Sequence, residues 1–197
     1  RDVLDRSSSR ETAARVAAGC FAKALLARIG VDIVSHIIAL GSAVSSSTRR
    51  PLPGDLAALD ETEVRCLDER ATEAMVKEIK AAAKVGDSLG GVAEVIAYGV
   101  PVGLGSHVHW DRKIDGLLAQ ALMSIQAVKG VEIGDGFALA SLRGSQAHDE
   151  IDTSKRRTSN HAGGIEAGIS NGEEIVVRAG MKPLPTLMKP LRSVDLE

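Results

Sequence analysis

The chain has 197 residues and a mass of 20.6 kDa, which fits one domain spanning 1–197. Hydrophobic residues make up 44% and charged residues 25%, enough for a sizeable core and too apolar for disorder. A net charge of −2 and an aromatic content of 2% argue against a polyanion-binding surface and against a stacking platform for single-stranded nucleic acid.

The first predicted element is a helix from Ser9 to about Arg28, rich in Ala and strong helix formers. Ser8 precedes Glu11 by three residues, the spacing of a capping box. Val16, Cys20 and Ala24, widened by Phe21, Leu25 and Leu26, make its apolar side. Gly30 is a helix stop, and Val31–Leu40 reads as a strand broken by Asp32, Ser35 and His36. Residues 41–60 carry a Ser/Thr run, Arg49-Arg50, Pro51, Pro53 and Gly54, and read as a surface loop. Val64–Leu67 is a short strand candidate, and Glu69–Lys84 an amphipathic helix closed by Gly86.

Gly90–Val100 is the next predicted strand, followed by a turn over Pro101–Ser106. Asp111 to about Val128 reads as a long buried helix because its charges are few. A strand over Gly130–Asp135, a short helix over Phe137–Leu142 and a polar loop over Gly144–Arg157 come next. Four glycines within 160–172 imply tight turns or close backbone approach to a ligand. Glu174–Ala179 is the last strand, since Pro183, Pro185 and Pro190 forbid a continued helix or central strand. Helices and strands mix without regular βαβ alternation, so the fold class is α+β.

The sequence opens at Arg1, has no signal-like leader and has no apolar run of about 18 residues. Cys20 and Cys66 lack metal-ligand spacing. Together these features predict an internal piece of a larger cytosolic protein with two buried thiols.

Four segments could carry chemistry. Arg6-Ser7-Ser8-Ser9-Arg10-Glu11 combines hydroxyls and guanidiniums at a helix start, suited either to an anion or to plain capping. His107 and His109 form an H-x-H pair without a completing ligand, so a strand-to-helix turn is the preferred reading and no metal is expected. Gln126 ends a helix just before a Gly-punctuated strand. Asn160–Gly172, followed by Lys182-Pro183-Leu184-Pro185-Thr186, could cradle an anion or form a glycine-rich hairpin.

The ordered set of these segments resembles chorismate synthase. The match runs from Arg6–Arg15 through Gly99–His109, Met123–Ala127, Lys129–Phe137, Gly144–Glu150 and Asn160–Gly172 to Met181-Lys182-Pro183. The resemblance implies a layered β-α-β sandwich, with long helices between antiparallel sheets. It implies elimination of phosphate and a ring proton from 5-enolpyruvylshikimate 3-phosphate, with reduced FMN required although no net redox change occurs. It assigns Ser8 and Arg10 to the anionic substrate. It assigns Arg6, Ser7, Ser8, Gln126, Ala127, Ala167, Lys182, Pro183, Leu184, Pro185 and Thr186 to the flavin.

Ala167 stands where the family has a glycine, and Leu184-Pro185 replace the family's usual pair before Thr186. About half of the family's length is represented. The histidines that donate protons lie in the other half, so no catalytic residue is assigned in this chain. Cytoplasmic location, a homotetramer and an association with NADP come with the resemblance; no nucleic acid or membrane partner does. The alternative for the isolated piece is a non-catalytic oligomerisation scaffold.

Overall fold

A computed structural model describes residues 2–189, 191–192 and 194; of Asp2, Leu4, Arg6 and Ser9 only the backbone is described. Pro190 therefore lies outside the described residues. Six α-helices are present among them: α1 (Asp2–Ser7), α2 (Thr12–Arg28), α3 (Leu56–Glu61), α4 (Glu69–Val85), α5 (Ile114–Met123) and α6 (Gly144–Ala147). The strands are β1 (Asp32–Leu40), β2 (Ala43–Val44), β3 (Gly91–Tyr98), β4 (Val128–Ile133), β5 (Ile165–Glu166), β6 (Ile169–Ser170) and β7 (Ile175–Met181). This is the expected α+β class.

All five strands of the main sheet are antiparallel, in the order β2-β1-β3-β7-β4. Alternation along each strand sorts its side chains onto two faces. Ile33, Ala97 and Ile175 share one rung, and Val95, Val177 and Ile133 another. These rungs form the face that meets Leu26 of α2 and Ile114, Leu118 and Leu122 of α5. The four-residue spacing in α5 puts those three side chains on one helix face. A side chain of this kind that is fully buried is worth about 1.5–3 kcal/mol; the buried members are Val31, Val100, Ile165, Ile175 and Val177, and the helix residues are partly buried. On the opposite face Val34, Ile96 and Val176 form a fully buried rung.

Several expectations are corrected. The 41–60 stretch is not simply a surface loop: it carries β2 and α3, with Leu59 only 1% exposed. Tyr98 Oη donates to Pro51 O at 2.8 Å and ties this stretch to the sheet. Val64–Leu67 forms no strand. Arg65 O there accepts from Ile37 N at 2.9 Å, but Arg65 turns away at φ 52 and pairing stops. The long helix expected to Val128 ends at Met123, preceded by a 3-10 turn over Trp110–Arg112. Phe137–Leu142 is likewise a 3-10 segment, Gly136–Ser141.

The largest difference concerns α2. It buries none of its residues, and Phe21 is 80% and Leu25 69% exposed. Cys20 is exposed as well, so only Cys66 is a buried thiol. The described residues form the five-stranded sheet and a two-stranded one, β5-β6, and α2 meets the larger sheet through Leu26. α4, by contrast, begins and ends as its sequence dictates. Asp68 Oδ1 accepts from Ala71 N at 3.2 Å, and Gly86 takes the left-handed φ of 73° that closes the last turn.

Candidate functional site

Some of the implied site residues, Gln126, Ala127 and Lys182 to Thr186, lie where three strand ends meet. Met181, at the end of β7, is in register with Gly91 at the start of β3 and with Val128 at the start of β4. Just beyond them, Lys182 N donates to Ala127 O at 2.9 Å. Ala127 adopts φ 67, the left-handed turn that delivers the chain from α5 into β4. Lys182 to Thr186 are exposed, without helix or strand. Leu184 is fixed by its carbonyl, which accepts from Ser88 Oγ at 2.7 Å. Gly90 lies directly beneath: a Cβ there would strike Met181 O and come within 3.0 Å of Pro183 Cδ.

Gln126 joins this corner to the start of α2. Its Nε2 donates to Glu11 Oε2 at 2.8 Å. Arg15 Nε donates to both Glu11 oxygens, at 3.0 and 2.7 Å, and Arg15 Nη1 donates to Ser124 Oγ at 2.8 Å. Gln126 Oε1 is buried without a partner. A buried acceptor left unmatched costs about 1–3 kcal/mol, and among the described residues this atom has no hydrogen-bond partner.

Ser8 and Arg10 stand within three residues of Glu11. They do not sit at a simple helix start: α1 ends at Ser7, one 3-10 turn covers Ser9–Glu11, and α2 starts at Thr12. Glu11 N donates to the Ser8 carbonyl at 3.2 Å, and Arg10 N to Ser8 Oγ at 3.4 Å. Ser7 Oγ donates back to Val3 O at 2.7 Å. Arg10 is 69% exposed and pairs with Asp5 at 2.5 Å. A substrate anion would have to displace an exposed carboxylate, and such surface pairs are weak. The side chain of Arg6 lies outside the described residues.

Ala167 is placed elsewhere. It turns the β5–β6 hairpin with Gly168, at φ 53 and 81. Gly168 O accepts from Ile114 N at 3.0 Å, at the first residue of α5, whereas Gln126 lies beyond the last. Ten helical residues, about 15 Å of rise, separate those ends.

The glycine-rich segment forms the hairpin rather than an open cradle. Its amides are used internally: Gly163 N donates to Asn160 O, Gly164 N to Asn160 Oδ1 and Asn171 N to Gly164 O. Gly134 and Gly163 approach so closely that a Cβ on either would strike the other's backbone. Asp149 holds the loop through Ser159 Oγ, His161 N and Ala162 N at 2.5–2.9 Å. Burial pushes the Asp149 carboxyl up, but those donors outweigh it and keep it below the ordinary carboxylate value.

A polar rung that sequence reasoning missed crosses the other face of the sheet. His36, Glu94, Arg178 and Glu132 are successive partners on β1, β3, β7 and β4. His36 Nε2 meets Glu94 Oε1 at 3.1 Å, Arg178 Nε donates to Glu94 Oε2 at 2.9 Å, and Arg50 Nε lies 3.5 Å from Oε1. Burial raises the Glu94 carboxyl, yet these partners hold it below its ordinary value. The available signal was a polar residue at a buried-phase position of two otherwise apolar strands. A cavity of about 390 Å³ opens above this rung.

Beside Gly90, Val128 and Met181 lies a cavity of about 370 Å³ lined also by Leu122 and Ile125. Its lining is apolar; Gln126 and Lys182 are not part of it and follow the lining residues Ile125 and Met181 in sequence. Among the described residues no group of three or more His, Cys, Asp or Glu could hold a metal ion, and no helix is long and apolar enough to cross a membrane.

The chain thus builds a five-stranded antiparallel sheet backed by α2 and α5, with an apolar recess at the corner where β3, β4 and β7 meet. The family model for chorismate synthase matches residues 1–197, and the chain belongs to the chorismate synthase family. It is 56% identical to the chorismate synthases of Saccharopolyspora erythraea and Streptomyces coelicolor, over all of this chain and 50% and 51% of theirs. A crystal structure of chorismate synthase superposes with a TM-score of 0.84 at 45% identity, covering 92% of this chain and 58% of that one. The chain thus spans about half the length of the relatives it matches.

Proposed function

We propose that this chain is the central part of a chorismate synthase. In it, phosphate and a ring proton are lost from 5-enolpyruvylshikimate 3-phosphate to give chorismate. The observation that carries this reading is the family match over the entire chain. When bound, reduced FMN supplies electron density to the allylic system as phosphate leaves. Gln126, Ala127 and Lys182–Thr186 form the rim that would hold it, and Arg6, Ser7 and Ser8 are assigned to it by the same family reading. Ser8 and Arg10 bind the anionic substrate. Fixed hydroxyl and guanidinium donors suit a leaving phosphate because they need no reorganisation as charge develops. Assembly as a homotetramer in the cytoplasm belongs to the same reading.

The test is chorismate formation from the enolpyruvyl substrate under anaerobic conditions with reduced FMN, using the complete protein. Failure to form chorismate rejects the assignment. A second reading, favoured by the bare apolar side of α2, is that the 197-residue piece alone is a non-catalytic assembly scaffold. Reduced-FMN binding by the isolated piece would reject it.

A further inference from the structure

We infer that Glu11 and Arg15 are positioning residues that fix which end of the Gln126 amide faces the flavin. The inference rests on the flavin reading above and extends it to two residues with no assigned role. A Gln amide presents an acceptor at one end and two donors at the other, and nearly equal shapes let it turn over. Here the turn is blocked. An ionised carboxylate only accepts, so Glu11 can pair with Gln126 Nε2 and not with Oε1. Arg15 in turn clamps both Glu11 oxygens and reaches Ser124, two residues before Gln126. The chain Ser124–Arg15–Glu11–Gln126 is therefore a closed loop of charge-assisted bonds between α2 and the end of α5.

The consequence is a carbonyl oxygen, buried and without a partner, as the group left for a ligand. Only a donor satisfies it. A flavin edge carries N–H groups; a phosphate or carboxylate at neutral pH carries none. Gln126 thus serves the cofactor and not the anionic groups of the substrate.

The experiment is a double-mutant cycle in the complete protein, read as the Kd for reduced FMN measured anaerobically. Circular dichroism and Tm check folding. Gln126→Leu and Glu11→Gln are each expected to weaken FMN binding about tenfold, because each leaves the donor unmatched or lets the amide turn over. The double variant is expected to lose no more than the worse single variant, since both act through one bond. Both single variants are expected to shift the absorption band of bound FMN alike. Additive losses, or unchanged FMN affinity with a raised KM for the phosphorylated substrate, would overturn the inference. If the wild-type protein itself fails to bind reduced FMN, the flavin reading falls and this inference with it. Wild-type binding with unaffected variants removes this inference alone.

Discussion

Lys182 N donates to Ala127 O at 2.9 Å, joining two segments far apart in sequence at one corner of the sheet. The bond exists because β7 is flanked by β3 and β4, so its last residue, Met181, faces Gly91 on one side and Val128 on the other. The residue after β7 and the residue before β4 must then meet.

Gly90 makes that meeting possible. Gly90→Ala is expected to push Pro183 and the Met181 carbonyl outward, with a stability loss of about 1–3 kcal/mol from overpacking. Weakened binding of reduced FMN should accompany it. Thermal denaturation and FMN titration check this; an unchanged Tm with unchanged affinity would contradict the close approach.

Ala167 and Gly168 both occupy the left-handed region at the hairpin tip. An Ala there costs roughly 1–2 kcal/mol, partly offset in a glycine by the entropy of the unfolded chain. Ala167→Gly is expected to raise stability by about 0.5–1 kcal/mol in a denaturant titration. A loss of stability would show that the methyl group makes a contact worth more than the strain.

Glu94 serves three cationic or N–H partners from a position only 3% exposed. Glu94→Gln is expected to cost about 1.5–3 kcal/mol near neutral pH, because the half-buried guanidiniums of Arg178 and Arg50 lose their counter-charge. The folded-state carboxyl is held below its ordinary value. Its contribution is therefore complete above the ordinary carboxylate range and is lost as pH falls through the folded value. The gap between wild type and variant should narrow below about pH 4, as urea titrations at several pH values would reveal. A gap independent of pH would remove the ion pairing from the explanation.

Phe21 and Leu25 project from α2 into solvent. In the 197-residue chain, replacing both by Ser should leave Tm nearly unchanged and reduce self-association in light scattering, since surface changes stay within about 0.5 kcal/mol. In the complete protein the same pair should destabilise. Equal behaviour in both would mean that α2 stays uncovered there too.

Arg10→Ala in the complete protein should weaken substrate binding by about 1.5–3 kcal/mol per lost charged hydrogen bond, read from KM and kcat. Unchanged constants would leave Arg10 as no more than the partner of Asp5.

The sequence alone determined the elements whose signals are local. α4 has its Asp68 cap, its amphipathic spacing and Gly86; β1 and β3 have β-branched runs bounded by glycines; the ordered motifs carried the family. Tertiary structure decided whatever depends on neighbours. Val64–Leu67 has strand-like residues, but Arg65 turns away and leaves a single backbone–backbone bond to β1. Leu56–Glu61 became helical beneath Leu59 inside a stretch that composition marked as loop. The apolar side of α2 looked like core, yet burial needs an opposing surface, and the described residues supply one only around Leu26. The pairing of Gln126 with Glu11 left no trace in spacing, because a hydrogen bond across so much chain is set by how α2 and α5 pack on one sheet face. Propensity and pattern fixed which residues could form the corner; sheet order and helix packing fixed which of them met.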